Sequence, residues 1–143
     1  MIMTLKFTLL FLVMCATSFS QNINELELTG TWKVEDVTTN FSNVSKEQQQ
    51  YIDTLKAAFN DATFEFKKDG HFNIDIDLED ISQQMKNAFW RFDPSKLKVT
   101  VVDWTEKEAD KPSWEWPITI SKTEEKTLFL LMESQFNLQV TKN

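Results

Sequence analysis

The chain has 143 residues, with 15 basic residues against 22 acidic ones, a formal net charge of −7, and 12 Phe and 5 Trp beside 2 Gly, 3 Pro and one Cys. A single cysteine excludes the disulfide scaffold that short secreted domains often use in place of a core, and the acidity without basic clusters disfavours nucleic acid and anionic membrane surfaces as partners. The length is that of one domain, and its aromatic content is enough to build a core.

Residues 1–20 read as a signal peptide and 21–143 as the mature domain. Lys6 supplies a charged n-region, Phe7 to Met14 an apolar h-region, and Ser18-Phe19-Ser20 a small-x-small cleavage site before Gln21. The apolar run is shorter than the about 20 residues that a membrane-spanning helix needs. A secreted or periplasmic location is expected. Cys15 follows Leu12-Val13-Met14, a sequence close to a bacterial lipobox, so a lipoprotein anchored through Cys15 stays open beside soluble export. With either processing the mature chain has no disulfide and no transmembrane helix.

The first strand is expected over 29–38, with Trp32, Val34 and Asp36 on one face and Lys33, Glu35 and Val37 on the other. Ser45-Lys46-Glu47-Gln48 then has the form of a capping box, and Tyr51, Ile52, Leu55, Ala58 and Phe59 follow at helical spacing. This one helix either closes an end of the sheet structure or lies along its outside, because its apolar stripe must be buried. Asn40-Phe41-Ser42 and Asn43-Val44-Ser45 match the glycosylation sequon, which matters only in a eukaryotic secretory pathway.

Strands are expected next at 62–68 and 71–78, joined at Asp69-Gly70 by a two-residue turn that uses positive φ angles. Segment 80–86 is polar and carries no clear period. Strands at 87–92 and 96–104 flank Asp93-Pro94-Ser95-Lys96, a type I turn sequence. After a charged loop, strands at 113–121, 126–133 and 135–141 complete the set. Eight strands with short links imply antiparallel neighbours, and eight is the number at which a closed meander holds packed side chains or one small ligand. The expected fold class is all-β, an eight-stranded antiparallel up-and-down barrel with one α-helix between strands 1 and 2.

The Leu28-Thr29-Gly30-Thr31-Trp32 opener, the Phe64 to Phe72 hairpin, the Trp90 to Val101 hairpin and the closing Leu128 to Val140 hairpin together resemble a bacterial lipocalin-like domain over nearly the whole mature chain. The resemblance lies in the order and spacing of these elements. In lipocalins a tryptophan packs across the closed end of the barrel, often beneath an arginine of the last strand. The resemblance implies that role for Trp32, although the sole arginine is Arg91 and the last strand offers Lys142.

Trp90, Trp114 and Trp116 fall at alternating strand positions, so their rings are expected to point inward with Phe64, Phe66, Phe72, Phe92 and Phe136. These eight are the candidate ligand-binding residues. They could line a cavity for a small hydrophobic molecule, the reading that the resemblance favours, or fill the interior of a barrel whose outside makes protein contacts in the cell envelope. His71, the only histidine, lies at a hairpin exit, and because a histidine base needs both an orienting partner and a nucleophile close by, no catalytic role is expected for it. Asp75, Asp77 and Glu79 read as a solvated strand face, since calcium sites gather about six to eight oxygens in a loop. No catalytic residue, metal ligand, cofactor or nucleic-acid partner is expected, and the chain should be a monomer.

Overall fold

Along β1 (Gly30–Thr39) the inward face changes phase halfway. Trp32 and Val34 point inward; Val34 pairs with Val140, but Asp36 rather than Glu35 takes the next position opposite Gln139. Such a bulge sets two residues against one and turns every later side chain to the opposite face. Val37 is consequently buried and Asp36 exposed, which corrects the expectation that Asp36 would share the face of Trp32.

The computed structural model describes residues 23–143, so the expected signal peptide, Lys6 and Cys15 lie outside the described residues. Eight strands run in sequence order round one closed antiparallel barrel: β1, β2 (Thr63–Phe66), β3 (His71–Asp75), β4 (Ala88–Asp93), β5 (Lys98–Asp103), β6 (Glu115–Lys122), β7 (Thr127–Leu131) and β8 (Phe136–Lys142). β8 returns to pair with β1, leaving no sheet edge for another chain to extend.

The two ends of the barrel are built differently. One is bounded by the turns between β2 and β3, β4 and β5, and β6 and β7, and by a short helix α1 (Glu25–Leu28). The opposite end carries helix α2 (Lys46–Phe59) after β1, helix α3 (Glu79–Gln84) after β3, the 104–114 connection after β5 and the turn from β7 to β8. The capping box starts α2 as expected: Ser45 Oγ accepts from Gln48 N–H at 3.1 Å, and Ser45 N–H donates to Gln48 Oε1 at 2.9 Å. Ile52, Leu55 and Phe59 are buried, so the helix packs across this end of the barrel.

Several boundaries differ from those expected. The β2–β3 loop is Lys68-Asp69-Gly70, three residues rather than two: Gly70 N–H donates to Lys67 C=O at 3.0 Å in an ordinary turn, and only Gly70 takes positive φ, +100°. A Cβ there would stand 2.7 Å from the ring of Phe89, a second reason for glycine. β3 ends at Asp75, and Glu79 opens α3, so Asp75, Asp77 and Glu79 do not share one strand face. The β4–β5 loop continues to Leu97, which takes φ +50°.

The β7–β8 turn carries the largest concentration of strain. Met132, Glu133 and Ser134 have φ of 52°, 57° and 69° in succession, with no glycine among them. Left-handed backbone costs an ordinary residue roughly 1–2 kcal/mol, and glycine's extra freedom in the unfolded chain offsets part of any relief. Glu133→Gly, at an exposed side chain, is therefore expected to raise stability by roughly 0.5–1 kcal/mol in urea unfolding. A loss of stability would show that the turn is not strained there.

Candidate functional site

Aromatic rings pack against one another along the depth of the barrel. Phe64 is fully buried, with its centroid 5.4 Å from Phe129, 5.9 Å from Trp116, 6.0 Å from Phe72 and 6.3 Å from Phe59. Phe66 lies 5.2 Å from Trp90 and 5.4 Å from Phe72, while Phe136 meets Phe59 edge-on at 5.3 Å. Tilted and edge-to-face contacts of this kind are the favoured geometries of aromatic pairs. Trp90 Nε1–H donates to Lys67 C=O at 2.8 Å, so its one polar atom is satisfied.

Of the eight sequence candidates, Phe64, Phe66, Phe72, Trp90, Trp116 and Phe136 thus join one aromatic network. Phe92 and Trp114 are half-buried at its margins. The network is completed by Phe129 and by Phe59, which α2 inserts from above. Among the described residues no polar or charged residue is buried.

Two apolar clefts open above this network at the α2 end. The first, about 430 Å³, is lined by Phe41, Val44, Glu47, Gln48, Tyr51, Ile52, Leu55 and Met132. The second, about 210 Å³, is lined by Tyr51, Leu55, Phe59, Ile81, Gln84, Met85, Trp114, Glu115, Trp116, Leu131 and Met132. Tyr51, Leu55 and Met132 border both, so the clefts adjoin, and Trp116 and Phe59 carry the second down to the aromatic network. Tyr51 is 66% and Met132 46% exposed, so the wall common to both clefts presents apolar surface to solvent. Met132 is presented by the first residue of the strained turn. Strain of this kind tends to collect at binding sites, where surrounding structure holds it in place.

Tyr51 and Leu55 were legible as part of a helical stripe, whereas Met132, Ile81 and Met85 were not assigned to any site. Ile81 and Met85 stand four apart, the spacing of one helix face, and this was the available signal.

The remaining polar features are engaged elsewhere. At the closed end Trp32 Nε1–H donates to Leu28 C=O at 2.8 Å, its ring packs 5.5 Å from Phe129, and Lys142 Nζ stands 5.8 Å above it while donating to Glu27 C=O at 2.7 Å. Lysine of the last strand here covers the tryptophan. On the outer wall the His71 ring stacks on Trp104 at 3.8 Å and 6°, while Lys107 Nζ lies 3.9 Å from the same ring, necessarily on the opposite face. His71 also meets Asp69 at 3.0 Å, and hydrogen bonds from the His71 backbone and side chain hold the Asp69 carboxyl below its usual range. These contacts pin the 104–107 segment to the barrel wall. Among the described residues no group of three His, Cys, Asp or Glu side chains is placed to hold a metal ion, and no helix is long and apolar enough to cross a membrane.

Fold and site together define an eight-stranded up-and-down β-barrel with an aromatic interior and an apolar mouth beneath α2. No protein-family model, curated protein or solved structure matches the chain.

Proposed function

We propose that this is an exported lipocalin-like protein that binds one small hydrophobic molecule at the mouth of the barrel, with Trp114 and Trp116 among its contacts and the deeper rings as the floor. The observation that carries this reading is the pair of adjoining apolar clefts sharing Tyr51, Leu55 and Met132. Ligand sites are concave and mostly apolar, commonly about 300–1,000 Å³, and are found in the mouths of β-barrels. Binding would be driven by removing ligand surface from water, at about 25 cal/mol per Å² before the costs of association.

Tryptophan emission supplies the test. Titration with retinol, 1-aminoanthracene and long-chain alcohols is expected to give saturable quenching or a spectral shift, and Trp114→Phe is expected to reduce its amplitude. Met132→Glu puts a charge on the wall common to both clefts, at a side chain already half exposed. It is expected to weaken binding at least about tenfold, the cost of desolvating a charge against an apolar ligand. If none of these molecules gives saturable binding, the better account is a filled barrel that acts through protein contacts on its outside.

A further inference from the structure

The charged residues that line the mouth are of one sign. Among the residues lining the two clefts, the charged ones are Glu47 and Glu115, both acidic; no lysine or arginine borders either. Aromatic rings complete the lining: Phe41 and Tyr51 in the larger cleft, Tyr51, Phe59, Trp114 and Trp116 in the smaller. At this end of the barrel Lys46, Lys56, Lys86, Lys107 and Lys111 belong to α2 or to the segments after α3 and β5, but none of them lines either cleft. Lys122, Lys126 and Lys142 border a cleft at the opposite end, and Arg91, Lys96 and Lys98 border a cleft on the outer wall that Glu115 shares with the mouth. The protein's overall field is negative as well, with a formal charge of −7.

Resting on the ligand-binding reading above, we infer that the mouth selects an apolar molecule carrying a single positive charge, an amine or a quaternary ammonium, over fatty acids. The physical reasons are independent of one another. A cation gains from the faces of Tyr and Trp rings and from the carboxylate of the cleft it occupies, Glu47 or Glu115, whereas a fatty-acid carboxylate meets no basic lining residue and enters against the field of an acidic protein. An apolar tail would lie along Leu55 and Met132 in both cases, so the head group alone decides the preference.

The test compares twelve-carbon ligands that differ only in the head: dodecyltrimethylammonium, dodecanol and laurate, each below its micelle-forming concentration, titrated into the full-length expression product by displacement of 1-aminoanthracene. The ammonium compound is expected to bind roughly threefold to tenfold tighter than the alcohol, the size of an exposed cation–aromatic interaction with carboxylate help, and laurate weakest. Raising the salt from 20 to 500 mM should narrow the gap, because exposed charges are screened. The double variant Glu47→Gln, Glu115→Gln should bring the ammonium-to-alcohol ratio toward one. Equal affinity for ammonium and alcohol, or tighter binding of laurate, overturns this inference and leaves the ligand-binding reading intact. Absence of displacement by all three overturns the ligand-binding reading itself.

Discussion

Phe64→Ala is expected to destabilise the barrel by about 3–5 kcal/mol, the range for removing a buried phenylalanine ring. Phe64 is fully buried and touches rings supplied by α2, β3, β6 and β7, so its loss opens a void that no one element can collapse into. Urea unfolding measures the change. A void of this kind stays dry and accepts small aromatic molecules, so indole is expected to restore part of the lost stability. A loss below about 1 kcal/mol would mean that the ring network is loosely packed. A ligand seated deep among Phe64, Phe66, Phe72, Trp90 and Phe136 would then be the better reading than one at the mouth.

At the opposite end, Trp32→Ala should also cost about 3–5 kcal/mol. The indole is 6% exposed, donates to the carbonyl of Leu28, and lies between Phe129 below and Lys142 above. Its removal breaks one of the ties between α1 and the barrel, beside those from Lys122 and Lys142 to Glu27, and leaves the Leu28 carbonyl without that donor. Lys142→Ala should cost far less, because an exposed lysine loses one hydrogen bond to Glu27 C=O and a distant ring contact. The comparison separates the packing of the ring from the cation above it. If Trp32→Ala changes stability by less than about 1 kcal/mol, the tryptophan does not hold the end shut.

Both expectations depend on features that were readable at different levels. The eight strands and their order followed from alternation and turn residues, because a side chain's face in a strand depends only on its parity within that strand. The capping box at Ser45 and Gln48 was readable for the same reason: its hydrogen bonds join residues three apart. Phe64 and Phe66 of β2, Phe72 of β3, Trp90 of β4 and Phe136 of β8 were legible as inward rings from the alternation within each strand.

Three decisions belonged to the closed barrel. The bulge that buries Val37 in place of Asp36 is fixed by the pairing of β1 with β8, about a hundred residues further along the chain. The alternation on either side places a link at Ser134, but Met132-Glu133-Ser134 contains neither glycine nor proline to mark its left-handed backbone, which closing β7 onto β8 imposes. The mouth arises only where α2, α3, Trp114 and that turn meet. Periodicity tells which face of an element is apolar, but which apolar faces meet, and whether they leave a gap, depends on contacts between residues distant in the chain.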